Sequence, residues 1–281
     1  MFKKFIAPQF FFLLSSLFIP LSSFGIILSP GYMGPQAMPV PEVQDFTVGK
    51  DNIISFYLEN NIDPGKEYAL NPKVKIFSPW GKKAALRLSF VPHEIYYMAS
   101  DVKKKRETKN QMGNAKGDIY FGSMFELYNQ DFGLALNLLT KTTSGKNLKD
   151  ARHLNAPAYI IDISFGKKWY YNRFFENINI SGYVAFIVWQ SQFNQQNDAL
   201  GLALKSAFTL HSNYIFSVEA GAYYGWQKKK DNPVTVRFNL KKRLNISEIC
   251  IQYSYGIRDQ IPYSLIFGVS FFSEPLLARL E

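Results

Sequence analysis

The stretch YIFSVEAGAYYGW, from Tyr214 to Trp226, alternates between two kinds of residue. Every second position is apolar or aromatic, beginning with Tyr214 and ending with Trp226. The positions between are mostly small or polar and include Glu219. Because successive side chains of a β-strand point to opposite faces, this pattern predicts a strand with one apolar face and one polar face.

The same alternation recurs from residue 51 to residue 272, without the longer period of an amphipathic helix. Most of the predicted strands are longer than the ~5–6 residues usual in soluble sheets, and a strand that crosses a bilayer at a tilt needs ~9–11. The predicted strands, about twelve in number, lie near residues 51–59, 67–77, 82–92, 117–128, 131–141, 157–166, 176–190, 198–210, 213–226, 233–242, 245–257 and 262–272.

Alternation alone also fits a soluble sandwich or a lipocalin-like barrel, so two further features are needed to choose among these folds. Aromatic residues gather near strand ends, as at 169–171 and 223–226, where interfacial girdles are expected. Tight turns such as 129–131 alternate with longer loops such as 93–116. We therefore predict an all-β protein, a transmembrane antiparallel up-and-down β-barrel of about 12 strands. Closure leaves no strand edge unpaired in lipid.

The first 25 residues have the features of a secretory signal peptide. A basic start at Lys3 and Lys4 precedes an apolar run, and Ser23 and Gly25 fit cleavage before Ile26. A transmembrane anchor is the alternative, but the apolar run is shorter than the ~20 residues of a helical span. The predicted organisation is then a Pro/Gly-rich N-terminal arm at 26–50 on the periplasmic side, a β-barrel at 51–272 and a C-terminal tail at 273–281.

Composition narrows the class of protein further. The single cysteine, Cys250, allows no intramolecular disulfide, unlike most secreted animal domains. The formal net charge of +10 suits anionic lipid or anionic solutes. No nucleic-acid partner is expected, because export removes the usual target and no recognition motif is present.

Together with the last strand, YSLIFGVSFF at 263–272, these features resemble a Gram-negative outer-membrane β-barrel protein of the porin-like type. The lysine-rich loops and the arm are similar in style to barrels of the Bacteroidota. The resemblance is architectural, covers residues 51–272 and implies no particular substrate. It implies a location in the bacterial outer membrane and assembly by the barrel-insertion machinery. The chain departs from the usual pattern because Phe272 is followed by SEPLLARLE.

Charged residues on the polar strand faces are the predicted lining of the lumen. Their mixed signs fit either a hydrated channel or a plug of salt-bridged side chains, and the sequence leaves both open. The lumen-lining candidates are Arg87, Asp118, Glu126, Asp162, Lys205, Glu219, Arg237 and Glu248.

Basic runs fall in the predicted outer loops. They would contact the phosphates of lipopolysaccharide or attract anions to a pore mouth, and the plainer alternative is a solvated loop. The basic outer-loop candidates are Lys103, Lys104, Lys105, Arg106, Lys228, Lys229 and Lys230.

These observations favour a narrow porin or channel for small solutes with weak anion preference, with no catalysis and no cofactor or metal. One alternative is an outer-membrane lipid-acting hydrolase, suggested by HSNY at 211–214 and by His153 near Asp150. The hydrolase needs His, Ser and an acid together on the outer barrel surface. The other alternative is a structural or adhesive barrel with a closed lumen.

Overall fold

The computed structural model describes residues 30–153, 156–171, 174–190, 196–210, 213–226 and 231–274. Fourteen strands form one antiparallel sheet, and twelve of them close into a barrel, which confirms the predicted fold. The strands are β1 Asn52–Asp63, β2 Glu67–Pro79, β3 Ala84–Phe90, β4 Glu94–Met98, β5 Met112–Ala115, β6 Ile119–Asn129, β7 Gly133–Lys141, β8 Ala158–Tyr170, β9 Phe175–Gln190, β10 Gln196–Leu210, β11 Tyr214–Gly225, β12 Val234–Arg243, β13 Ser247–Arg258 and β14 Tyr263–Ser273.

Among the described residues, helical structure is confined to short segments. A six-residue α-helix, α1, spans Ser100–Lys105, and two single 3₁₀ turns lie at Pro30–Tyr32 and Leu148–Asp150. Within the described part of the chain, none of these helices has the length and apolar character needed to cross a membrane.

The barrel closes where the first strand meets the last. β1 pairs along its length with both β14 and β2, and every other barrel strand pairs with its two neighbours in the barrel. β3 reaches only from Val74 to Pro79 of β2, so the first residues of β2 are left to another partner. β4 takes that place, and β5 pairs with β4. The predicted loop 93–116 therefore contains two strands and α1, because the unpaired backbone groups of β2 need hydrogen bonds.

The outer wall of the barrel is apolar. On β11, Phe216 and Tyr224 point outward and are exposed, as is Trp226 just after the strand, whereas Ser217 and Glu219 point inward and are buried. The same division holds around the barrel, where Leu202, Phe238 and Ile251 are among the exposed outward residues. An exposed apolar surface of this extent is unfavourable in water and favourable in lipid. The apolar face of the Tyr214–Trp226 stretch thus faces the bilayer.

The two ends of the barrel differ in their connections. One end, here called the short-turn end, carries the tight connections 80–83, 130–132, 171–174, 211–213 and 244–246. The opposite end, the long-loop end, carries the longest connections, including 142–157 and the segment that holds β4, α1 and β5. Outer-membrane barrels have short periplasmic turns and longer extracellular loops. The short-turn end is therefore the periplasmic end.

The N-terminal arm lies inside the barrel and not beyond its periplasmic end, where the sequence had placed it. At the long-loop end, the backbone N–H of Gly34 donates to the carbonyl of Ala151 at 2.7 Å. Towards the short-turn end, the N–H of Val48 donates to the carboxylate of Glu126 at 3.0 Å. Residues 30–51 thus run through the lumen from the outer mouth down to the start of β1.

The inner wall explains this placement. Asp162, Lys205 and Glu219 face inward on β8 to β11, but nearer the long-loop end the inward residues of these strands are mostly small, aliphatic or aromatic. They form one buried apolar cluster with Met33, Met38, Val40 and Val43 of the arm. Burial of apolar surface yields ~25 cal/mol per Å², so the arm is stabilised by contact with this wall. The wall residues of the cluster are Ala158, Ile160, Tyr183, Ala185, Ile187, Trp189, Ala199, Ala203 and Tyr223.

The outward face of β11 gives the first test. Ala220 lies mid-strand on the lipid side, and Ala220→Arg should lower the free energy of unfolding by about 2–4 kcal/mol. The same change at Ser217, whose side chain borders the interior, should cost less. Urea unfolding in lipid vesicles, followed by heat-modifiable migration on gels, measures both. Equal losses at the two positions would contradict the assignment of the faces.

Candidate functional site

The arm is held in the lumen by hydrogen bonds from the wall to its backbone carbonyls. The hydroxyl of Tyr183 donates to Pro41 at 3.0 Å, and that of Tyr223 donates to Met38 at 3.0 Å. The guanidinium of Arg237 donates to the carbonyl of Val40 and also pairs with the carboxylate of Glu219. Backbone groups of an extended segment have no partners of their own. These wall side chains supply partners to three carbonyls of the arm, those of Met38, Val40 and Pro41.

Phe46 fixes the lower part of the arm. Its ring is buried against two glycines on neighbouring strands, Gly133 of β7 and Gly166 of β8, which pair with each other. A Cβ atom at either glycine would overlap the Phe46 ring. The absence of both side chains therefore makes the notch into which the aromatic ring fits.

The remaining interior is a cavity of about 1190 Å³. Its lining reaches from Asp118 and His153 at the long-loop end to Arg243 and Phe272 at the short-turn end. The side of the cavity away from the apolar cluster is polar and is called here the polar wall. The polar wall includes Ser55, Glu59, Lys73, Lys75, Asn239, Lys241, Glu248, Gln252, Ser264 and Ser270.

Charges on the polar wall are largely paired. Lys73 contacts Glu59 at 3.1 Å, and Lys241 contacts Glu248 at 2.7 Å. Lys75 contacts Glu42 of the arm at 2.6 Å, which ties the arm to β2 across the lumen. Basic and acidic side chains border the cavity in nearly equal numbers. The cavity is therefore polar without a strong excess of either charge.

The structure brings the lumen-lining candidates to the interior. Each of them except Glu126 borders the cavity, and Glu126 accepts the bond from Val48 of the arm. Their partners differ, however. Glu219 and Arg237 form an ion pair, and Asp118 pairs with Lys141 at 2.8 Å. Arg87, Asp162, Lys205 and Glu248 complete the set on the cavity lining.

The basic outer-loop candidates separate into three groups. Lys103, Lys104 and Lys105 lie on α1, where the ammonium of Lys105 sits 5.5 Å from the ring centroid of Tyr32. Arg106 turns inward instead and pairs with the carboxylate of Glu67 at 2.6 Å, so its charge is not presented to lipid. Lys228, Lys229 and Lys230 lie outside the described residues.

A buried ionic cluster lies at the long-loop end beside the arm. The guanidinium of Arg152 pairs with Glu94 at 2.6 Å and with Glu67, and it lies 4.6 Å from the ring centroid of Tyr96. Burial alone would lower the pKa of Arg152, but the two carboxylates raise it above its usual range. A side chain on Gly34 would approach this guanidinium to 2.8 Å. The cluster thus connects the loop 142–157, the β4 extension and the arm.

His153 does not meet the requirements of the hydrolase alternative. It is buried at the outer end of the interior, and neither ring nitrogen has a hydrogen-bond partner among the described residues. Burial lowers the pKa of His153 to about 4, with Asp118 opposing and Arg152 reinforcing the shift, so the ring is neutral at pH 7. It does not lie on the lipid-facing surface. His211 and Ser212 lie outside the described residues. Among the described residues, no group of three or more His, Cys, Asp or Glu side chains is placed so that it could hold a metal ion.

Sequence reasoning missed the residues that hold the arm. A signal was present in YVAFIVW, from Tyr183 to Trp189, where inward and outward positions are both apolar. Strands that are apolar on both faces are usually buried on both faces. In a lipid-facing barrel, this pattern indicates that something apolar packs against the inner side.

Comparisons with known proteins agree with this geometry. No protein-family model matches the sequence, and no curated protein matches it either. Among solved structures, an outer-membrane channel from Pseudomonas putida F1 is similar, with a TM-score of 0.58 at 10% identity. The alignment covers 85% of this chain and 98% of that one. The chain has the fold of an outer-membrane β-barrel.

A second solved structure gives the same fold. The NanC porin has a TM-score of 0.51 at 12% identity, with 78% of this chain and 98% of the porin aligned. At these identities the likeness concerns the fold and not the solute. The closed sheet and the apolar exterior of this outer-membrane barrel agree with the predicted location in the bacterial outer membrane.

The glycine notch offers a test of how the arm is held. Gly133→Val should lower the free energy of unfolding by about 1–3 kcal/mol, because the new side chain displaces the ring of Phe46. In the double variant with Phe46→Ala, the valine occupies space vacated by the ring, so the combined loss should be smaller than the sum of the single losses. Denaturant titration of the four proteins measures this coupling. Strict additivity would show that the ring does not occupy the notch.

Proposed function

We propose that this outer-membrane barrel is a narrow channel for small solutes with weak anion preference. The solute path runs between the arm and the polar wall. Nothing in the proposal requires a catalytic step or a cofactor. Assembly by the barrel-insertion machinery and contact of the exposed α1 lysines with lipopolysaccharide belong to the same proposal.

One observation carries the proposal: the arm does not fill the lumen. Its apolar residues pack on β8 to β11, while a cavity of about 1190 Å³ remains beside the arm and borders the polar wall. If the arm served only to block the lumen, we would expect it to fill the cross-section of the lumen evenly. The polar lining on the unfilled side supports passage of hydrated solutes.

The arm also supports a narrow path. A twelve-stranded barrel is intermediate between the filled eight-stranded barrels and the open sixteen-stranded porins. Here part of that bore is already taken by residues 33–43 of the arm. The expected permeants are therefore small.

Weak selectivity is proposed from the charges along the path. Opposite charges on the polar wall are paired at short distance, as between Lys241 and Glu248, so their long-range fields largely cancel. Lys205 and Arg243 border the cavity without an ion pair among the described residues, which favours anions slightly. Basic loops at the mouth add to this field, screened over ~8 Å at physiological salt.

The native thiol of Cys250 tests accessibility and local potential together. Cys250 borders the cavity opposite Lys241 in the β12–β13 pairing. In the folded barrel, an anionic methanethiosulfonate should modify it severalfold faster than a cationic one of similar size. Lys241→Gln should reduce that ratio, and high salt should reduce it further. As a control, the same ratio is measured for a small neutral thiol free in solution, which gives the intrinsic difference between the two reagents. Absence of any reaction at Cys250 would contradict an accessible path.

Planar-bilayer conductance provides the direct test. The wild-type barrel should conduct in small steps and show weak anion preference, most visible at low ionic strength. Replacing Lys228, Lys229 and Lys230 together by glutamine should lower the preference without abolishing conductance. A purified barrel that keeps its heat-modifiable migration but never conducts would refute the channel and favour a closed structural barrel.

A further inference from the structure

A second pocket lies on the outer wall of the barrel at the short-turn end. It has a volume of about 250 Å³ and lies where β7 begins and β8 ends. Apart from one lysine, its lining consists of apolar side chains and one glycine. The lining residues are Phe132, Phe165, Gly166, Lys167, Trp169 and Ile180.

Strand lengths create this pocket. The pairing of β8 with β7 ends at Gly166 with Gly133, whereas β8 continues to Tyr170. The last residues of β8 therefore have β9 on one side and no β7 residue on the other. Phe132, in the turn that precedes β7, borders the open side and is exposed.

Lys167 provides a positive charge beside this apolar pocket. The ammonium of Lys167 lies 5.8 Å from the ring centroid of Trp169, and no acidic side chain among the described residues pairs with it. Cation–π contact orients an ammonium but does not neutralise its charge. Lys167 is thus available to an anionic partner at the membrane interface, where long basic side chains place their charge.

The residues around the pocket indicate what kind of ligand would bind there. An apolar pocket on a lipid-facing wall suits a hydrocarbon chain, and the adjacent ammonium group of Lys167 suits a phosphate group. Other basic residues at this end are placed differently: Lys82 and Lys83 lie in the β2–β3 turn, Lys242 and Arg243 lie on β12, and Lys168 borders the lumen cavity. Lys167 is therefore the basic residue that lines the pocket.

We propose that this pocket is a binding site for an anionic phospholipid in the leaflet that faces the short turns. Part of one acyl chain fills the pocket, and the phosphate contacts Lys167. A zwitterionic lipid is bound less well, because its own amine compensates the phosphate charge. Lipopolysaccharide is not the occupant, since the pocket is at the opposite end from the long loops. The inference does not depend on whether the lumen conducts.

Native mass spectrometry of the purified full-length barrel tests the site. The barrel is mixed with equal amounts of phosphatidylglycerol and phosphatidylcholine of the same acyl composition, and the lipids retained on it are counted. The wild type should retain phosphatidylglycerol in preference. Lys167→Gln should reduce that preference about fivefold, in line with the loss of one interfacial cation.

Lys168→Gln is the matched control. It removes the same charge one residue away, but Lys168 lies 5.2 Å from the ring centroid of Tyr170 and does not line the outer pocket. It should leave the preference nearly unchanged. Equal falls in the two variants would overturn the proposal, because only the general positive field would then matter.

Ile180→Trp tests the apolar half of the site. Ile180 points outward and is 44% exposed, so the larger side chain can fill the pocket without touching the lumen. Retention of both phospholipids should fall, and the gel migration of the folded barrel should be unchanged. Undiminished retention in this variant, or preferential retention of lipopolysaccharide by the wild type in a competing mixture, would refute the assigned site.

Discussion

The apolar contact between the N-terminal arm and the inner wall of β8 to β11 determines how the rest of the interior is organised. Ala185 and Ala203 of the wall belong to the same buried cluster as Val40 and Val43 of the arm. The arm is extended, so its carbonyls need partners, and Tyr183, Tyr223 and Arg237 supply them. The apolar contact and these hydrogen bonds act on the same residues. Both the apolar contact and the hydrogen bonds would be lost if the arm lay elsewhere.

Because the apolar cluster fills one part of the lumen, the charged residues lie outside that cluster, on the polar wall and farther along β8, β10 and β11. There they lie close enough to pair, as between Lys73 and Glu59, and one pair joins the arm to the wall through Glu42 and Lys75. Unpaired charges in so narrow a space would carry a desolvation cost. The paired arrangement leaves a polar path with weak net potential, which is the basis for weak rather than strong ion selectivity in the proposed channel.

Periodicity in the sequence was sufficient for the barrel and for the charged lining. The predicted strand near 233–242 corresponds to β12, and the alternation of apolar and polar residues correctly predicted that Arg237 faces the lumen. It was not sufficient for the arm, because the contacts of Phe46 with Gly133 and Gly166 join segments far apart in the chain. Nor did it reveal β4 and β5, since these strands depend on the short reach of β3 along β2. Local patterns report which face of a strand is apolar and not what covers it.

The direction of the arm links closure of the barrel to the geometry of the path. Residue 34 is held at the outer mouth, and Asn52, immediately after the arm, pairs with Ser273 at the seam between β1 and β14. The pairing that closes the barrel therefore also fixes the lower end of the arm, while Arg152 lies over Gly34 at the upper end. An arm held at both ends and along its apolar face cannot swing aside without breaking these contacts. The arm is thus a fixed part of the folded barrel, and its position limits the space left for the proposed path.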